Sequence, residues 1–167
     1  MTIKRQAIKA GLLVSILLLV GCAAPLSKES RSRVDKKVTF EALVKDPGAY
    51  KGTTVMFGGE IINCANLANA TELEILQKPL GARSAPIDTD TSGGRLFLIS
   101  KSFLDPVVYK PGRLITFVGV VSGSGERAVG AVNYRYPIID EVEHHLWSPD
   151  ELSPRVHVGV GVGVGIP

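Results

Sequence analysis

Any chemistry in this 167-residue sequence must come from two cysteines, three histidines and a few clustered acids and aromatics. Asp88-Thr89-Asp90-Thr91-Ser92-Gly93 opens like a calcium loop, with oxygens at the first, third and fifth positions and glycine at the sixth. The twelfth position, where a bidentate glutamate belongs, is Ile99, so the stretch reads as a polar, turn-rich loop. His144-His145 follow Glu141 and Glu143 at the end of a strand-like run. Neighbouring strand residues point to opposite faces, so these two imidazoles do not readily share one metal ion. Cys64 would need a base and an orienting group to act as a nucleophile, and His144 is the candidate base. A buried structural cysteine is the simpler reading. Tyr134, Tyr136 and Trp147 combine an aromatic face with a polar handle, and serve either as a ligand platform or as core and strand-end packing. No G-x-S-x-G, P-loop, H-E-x-x-H or C-x-x-C motif occurs. No catalytic residue, metal ligand or cofactor is therefore assigned.

The other cysteine has a definite context. Lys4, Arg5 and Lys9 precede the uncharged apolar run Ala10–Val20, which ends at Gly21-Cys22. This is the layout of an export signal. The eleven residues of this run would rise only about 16 Å as a helix, short of the roughly 30 Å hydrocarbon core that a transmembrane span must cross. Leu19-Val20-Gly21-Cys22 resembles the bacterial lipobox, which implies cleavage between Gly21 and Cys22, a diacylglycerol thioether on Cys22 and acylation of the new amino group. One acyl chain holds a protein only marginally at a bilayer, whereas two or three make the anchor effectively permanent. The residue after the cysteine is Ala23 rather than Asp, which implies passage to the outer membrane.

Charge narrows the partners. The net charge of +3 is carried by residues 1–21, so the rest of the chain is balanced. A domain that binds nucleic acid carries a marked basic excess, so none is expected here. The expected partners are the membrane, through acyl chains on Cys22, and the lipoprotein export and maturation machinery. No further binding partner is identified.

The elements that must position these residues follow from periodicity. Residues 1–21 form the cleaved signal, and residues 22–38 read as the lipidated cysteine and a flexible, basic tether. Thr39 caps a short helix whose apolar positions are Phe40, Leu43 and Val44, and Asp46-Pro47-Gly48 ends it. Strands are expected over 53–64, 71–77, 95–100, 113–121 and 134–142, with glycine and proline punctuation between them. Gly58-Gly59 interrupts the first strand, as at a bulge or barrel corner. The fourth strand is apolar on both faces and hence central. The expected core is Val55, Phe57, Ile61, Leu73, Ile75, Leu96, Leu98, Leu114, Thr116, Val118 and Val120, or the opposite-face neighbours. The fold class is mainly β: a small five- to six-stranded OB-like barrel with a short N-terminal helix over residues 39–147, with a sandwich as the competing arrangement. Residues 148–167 form a Gly/Val-rich tail in which Val156–Ile166 alternates strictly, either frayed or docked as an extra strand.

Several segments, in order, resemble the Slp family of starvation-inducible bacterial outer-membrane lipoproteins. They are the lipobox, Phe40–Ile61, Asn66–Leu80, Gly94–Phe97, Phe103–Pro106, Gly112–Thr116, Tyr134–Ile138 and His145–Trp147. The resemblance runs from the lipobox to about Trp147 and implies a lipid-anchored outer-membrane protein linked to starvation, stationary phase or acid stress; the body is expected to face the periplasm. It implies neither an established enzyme activity nor a known ligand. The function expected is a non-catalytic envelope protein. The alternative is an OB-like binding module for an envelope glycan, peptide or small metabolite.

Overall fold

The computed structural model describes residues 24–129 and 132–152. The signal segment, Cys22 and the alternating Val156–Ile166 run lie outside the described residues. Among the described residues, three short α-helices, α1 (Lys28–Ser32), α2 (Phe40–Lys45) and α3 (Pro149–Leu152), accompany five strands: β1 (Thr54–Asn66), β2 (Thr71–Gln77), β3 (Arg95–Ser100), β4 (Leu114–Val129) and β5 (Val132–Leu146). The strands close in the order β1-β2-β3-β5-β4. This is the expected barrel, not the sandwich.

Closure depends on β1 serving two neighbours. Its first half pairs with β4, from Thr54↔Val120 to Glu60↔Leu114. Its second half pairs with β2, from Gly59↔Gln77 to Asn66↔Thr71. Gly58-Gly59 lies at this handover. A Cβ on Gly59 would sit 2.1 Å from the Leu76 carbonyl oxygen, and one on Gly58 would sit 2.8 Å from the Ile115 carbonyl oxygen. Only a residue without a side chain lets the backbones approach that closely. The seam between β3 and β5 is parallel and short, running over Phe97↔Ile138, Leu98↔Ile139 and Ile99↔Asp140.

The interior is layered. Val55, Phe57, Ile61, Leu73, Ile75, Leu96, Leu98, Ile115, Phe117, Val121 and Ile139 are buried together, with Phe40 and Leu43 of α2. The side chain of Thr39 accepts from the Ala42 N–H, as its capping role requires, and the Phe40 ring meets Phe57 edge-on at 5.3 Å. On β4 the expected phase is inverted: Ile115, Phe117 and Val121 face the core, not Leu114, Thr116, Val118 and Val120. Thr116 and Val118 are nonetheless buried, because this central strand is covered outside as well. Period-two alternation cannot show which face is interior when both are apolar or covered.

Two further readings change. β4 and β5 run well beyond the expected 113–121 and 134–142. Gly123-Ser124-Gly125 is not a turn but lies at and beyond a register shift, where the hairpin continues past the closed barrel. The hairpin folds back on the outer side of β2 and β3. The Arg127 guanidinium lies 4.2 Å from the Phe97 ring centre and pairs with Glu72 at 2.8 Å, while Tyr136 packs on Phe97.

Residues 24–38, expected as a flexible tether, are docked instead. Leu26 is buried. The Ser27 N–H and hydroxyl donate to the two carboxylate oxygens of Glu143 at 2.9 and 2.7 Å. The Asp35 N–H donates to the Thr54 carbonyl at 2.9 Å. The segment looks like a linker because its charges line its solvent side, while one leucine, two serines and the Asp35 backbone make the attachment. Its burial brings it into the same body as the barrel.

Gly59→Ala should destabilise the barrel by about 1–3 kcal/mol, because the clash is with backbone that cannot give way. Urea unfolding should show a lower midpoint with an unchanged slope. A wild-type midpoint would remove Gly59 from the corner-forming role.

Candidate functional site

One end of the barrel interior is polar. Cross-strand pairing explains this: Phe117↔His144 and Gly119↔Glu141 place both β5 side chains on the core side, and Thr71↔Ser100 does the same for β2 and β3. His144 Nδ1 lies 2.5 Å from the Glu141 carboxylate, and Nε2 lies 2.7 Å from the Tyr109 hydroxyl. A carboxylate only accepts, so Nδ1 donates, and in the neutral ring Nε2 accepts from the phenol. Burial pushes the Glu141 carboxyl up. Hydrogen bonds from His144 and Ser100, with the imidazole charge, outweigh that effect and hold it below the usual carboxylate value. Burial, followed by the Glu141 charge, pushes the Tyr109 phenol up.

Tyr109 belongs to the loop between β3 and β4, which folds over this end as a plug. The loop inserts Leu104, whose N–H donates to Thr71 Oγ1 at 3.1 Å and whose carbonyl accepts from Asn66 Nδ2 at 3.3 Å. Thr71 Oγ1 also lies 2.6 Å from Asn66 Oδ1 and 2.9 Å from the Ser102 carbonyl. Cys64 faces the same layer. Its thiol points at the Leu104 carbonyl at 3.8 Å, and burial, with the nearby Asp105 charge, pushes it above the ordinary thiol value. The thiol is half-buried rather than part of a sealed core. A raised thiol whose hydrogen bond goes to a backbone carbonyl is a poor nucleophile. Cys64 and His144 thus occupy one neighbourhood, but the imidazole's bonds go to Glu141 and Tyr109. Among the described residues, no three His, Cys, Asp or Glu side chains converge as metal ligands.

The second feature is a groove on the outer wall. Its volume is about 500 Å³, and Arg83, Pro86, Ile87, Asp88, Leu114 and Leu152 line it. An adjoining hollow of about 370 Å³ shares Asp88, Leu114 and Leu152. Trp147 underlies this region. Its indole N–H donates to Thr116 Oγ1 at 2.9 Å, Thr116 donates onward to the Ser84 carbonyl at 2.7 Å, and the Arg83 guanidinium sits 5.3 Å from the indole centre. Arg83 and Ser84 both hold positive φ, 58° and 62°, in the left-handed region that costs non-glycine residues. The turn at the groove rim is therefore pinned by Thr116 and Trp147 against its own strain.

The residues singled out as an aromatic platform separate. Tyr136 and Trp147 are each only 1 % exposed, whereas Tyr134 is 38 % exposed. Tyr134 and Tyr136 touch, with ring centres 5.2 Å apart, but Tyr136 is on the inner side of the hairpin, sealed against Phe97, and Trp147 lies under the groove. Neither buried ring offers a face to a ligand. His144 and His145 do take opposite sides: His145 bonds Glu151 at 3.2 Å and stacks edge-on against Trp147. The loop at Asp88–Gly93 ends on the barrel, where the Gly93 N–H donates to Gln77 Oε1 at 2.8 Å. Periodicity gave no sign of the Glu141–His144–Tyr109 chain, because Tyr109 comes from a loop. The i, i+3 spacing of Glu141 and His144 puts them on opposite faces of a regular strand. The register shift between Val118 and Gly119 brings them to the same face.

A family model described as "Outer membrane lipoprotein Slp family" matches residues 19–161. The chain is 28% identical over 149 residues to "Uncharacterized lipoprotein YeaY" of Escherichia coli (strain K12), covering 88% of this chain and 76% of that one. It is 30% identical over 141 residues to "Outer membrane protein Slp" of the same strain, covering 83% and 74%. Among solved structures, a small single-stranded DNA-binding protein from Streptomyces coelicolor aligns over 57% of this chain and 94% of that one, with 13% identity and a TM-score of 0.36. That likeness is too slight to bear on fold or function.

The plug makes stability depend on pH. The Glu141 carboxyl is held below its ordinary value of 4.5. Burial pushes Glu143 up, but the bonds from Ser30 and Ser27 and the Arg31 charge leave it, too, lowered. Groups depressed in the folded state contribute stability that is fully present above the unfolded pKa and is lost as pH falls through the folded one. The urea midpoint should therefore stay level down to about pH 5 and decline below about 4.5. Glu141→Gln should lower stability at pH 7 and flatten that decline. An unchanged acid limb in the variant would show that the plug network does not set it.

Proposed function

The chain belongs to the Slp family of outer membrane lipoproteins, and from that membership we propose that Cys22 is its acylated anchor and that its body stands on the periplasmic side as a non-catalytic envelope protein acting in starvation, stationary-phase or acid stress. The observation that carries this reading is Leu19-Val20-Gly21-Cys22, which falls inside the segment that matches the family, from residue 19 onward. Two further features support it. The Cys64 thiol is raised and bonded to a backbone carbonyl, and the His144 ring nitrogens face Glu141 and Tyr109, so the neighbourhood that holds Cys64 and His144 is engaged in holding the loop. The polar end of the barrel serves attachment rather than turnover.

A second reading is a binding module, favoured by the groove above Trp147. Its apolar floor of Leu114, Pro86 and Ile87 and its charged rim of Arg83 and Asp88 suit an amphipathic glycan or an extended peptide. The mature chain screened against envelope glycans and peptides should then show a ligand-dependent rise in melting temperature, equivalent to about 2.7 kcal/mol at a hundredfold excess over Kd. Arg83→Ala should abolish the rise.

Intact-mass measurement on membrane-extracted protein should give a chain that starts at Cys22 and carries diacylglycerol and an amide-linked acyl group. An unmodified cysteine in a full-length chain would overturn the anchor. In cells lacking the protein, wild type and Cys64→Ser should restore survival through starvation or acid exposure equally, whereas Cys22→Ser should not. Failure of Cys64→Ser in folded, correctly anchored protein would instead assign chemistry to the thiol.

A further inference from the structure

Consecutive residues of β5 hold two separate parts of the chain. Glu143 binds Ser27, at the start of the docked N-terminal segment, and His144 binds Tyr109, in the plug loop. The anchor-proximal end of the chain and the plug are therefore neighbours. Cys22 precedes Ser27 by five residues, a reach of at most about 18 Å when fully extended. A tether free to residue 38 would have let the barrel stand far from the bilayer. A segment docked from Leu26 onward keeps it close and brings the plugged end toward the lipid.

The outward side of the plug presents several apolar side chains around the exposed Asp105. Phe103 is 75 % exposed and Val107 is 79 % exposed; Val108 is also exposed, and Leu67 from the β1–β2 turn lines one hollow with Phe103. These side chains project from fixed backbone. Asp105 Oδ1 accepts from the Val107 N–H at 2.9 Å, the Asp105 carbonyl accepts from the Val108 and Tyr109 N–H groups, and Leu104 is pinned beneath. Exposed Lys101 and Lys110 flank them. An apolar tip bordered by lysines fits the boundary between acyl chains and head groups. The tip enters the apolar side, while the ammonium groups reach phosphate.

We propose that the 101–110 loop is a second membrane contact, seated with Leu67 in the head-group region of the leaflet that holds the acyl chains. The inference rests on Cys22 being the anchor. The acyl chains fix the protein to the surface, and the loop fixes which end faces it.

The test uses the full-length, processed lipoprotein in vesicles of phosphatidylethanolamine and phosphatidylglycerol, part of the latter brominated on its acyl chains. Phe103→Trp places a reporter on the tip, and Lys51→Trp places one at the opposite end of the barrel, where Gly52 bonds Val121. The wild-type signal of buried Trp147 is subtracted. Blue-shifted Phe103→Trp emission quenched at least twofold by brominated lipid, with Lys51→Trp unaffected, supports the proposal. Unquenched emission at both sites, or equal quenching at both, overturns it. A blue-shifted but unquenched Phe103→Trp signal also overturns it, assigning the patch to a second copy or another protein. Intact mass of the same preparation reads Cys22 acylation separately, so loss of the anchor is not mistaken for loss of the contact.

Discussion

A sheet of five strands leaves two edges open unless it closes, and here closure runs through only three residue pairs between β3 and β5. Small sheets left open offer unpaired N–H and C=O groups to any passing strand. The parallel seam Phe97–Ile99 against Ile138–Asp140 prevents that, but it forces other features. β1 must bend sharply enough to serve β4 and β2 in turn, which places glycine at 58 and 59. β4 and β5 must shift register twice against each other, near Gly119 and Gly123, to reach across the barrel. At Gly119 an added Cβ would lie 2.6 Å from the Asp140 carbonyl oxygen, so the shift there, like the bend at Gly58-Gly59, is possible only where a side chain is missing.

Closure also creates an interior with two unlike ends. The layers near α2 are filled by Phe40, Leu43, Val55 and Phe57, and apolar contact suffices there. At the other end, the register shift delivers Glu141 and His144 inward, and an ionisable pair in a confined space must be hydrogen-bonded or it destabilises the fold. Ser100 and Tyr109 supply those bonds. The polar groups are thus satisfied by a loop rather than by another strand. The loop in turn must carry its own apolar residues either inward, as Leu104 does, or outward, as Phe103 and Val107 do.

Strand identity was legible because these strands obey local rules. Thr71–Gln77 alternates cleanly and was bounded correctly, as was Arg95–Ser100. Gly58-Gly59 announced a corner because two adjacent glycines in an otherwise β-favouring run have few other uses. Where the sequence misled, a non-local contact had the deciding role. The phase of β4 was ambiguous since its outer face is covered by Trp147 and the 82–85 turn, so both of its faces look like core. Tyr136 and Trp147 read as a platform because an exposed and a buried aromatic have the same letters, and what buries them, Phe97 of β3 for Tyr136 and the 82–85 turn for Trp147, comes from distant segments. Residues 24–38 read as solvated because the contacts that dock them, Ser27 to Glu143 and Asp35 to Thr54, span sequence separations that no window sees.

That last correction changes what a lipid anchor does for this protein. An acylated cysteine on a long flexible tether supplies localisation only, and the body is then free to present any face to the envelope. Once Leu26 and Ser27 are fixed on the barrel, the same anchor becomes a geometric constraint. With Cys22 as the proposed anchor, the length between lipid and body is set by a handful of residues, and the strand that receives Ser27 at Glu143 also receives the plug at His144. The two attachments act on opposite sides of one backbone, so anything that loosens β5 near its C-terminal end loosens both the stance of the barrel and the cover over its polar end. Since both Glu141 and Glu143 are carboxylates held in their charged form by hydrogen bonds, acid acts on the two attachments in the same direction. With Cys22 as the proposed anchor, orientation at the membrane and integrity of the barrel end would be coupled through Glu141, Glu143 and His144 of one strand and the register shift between them.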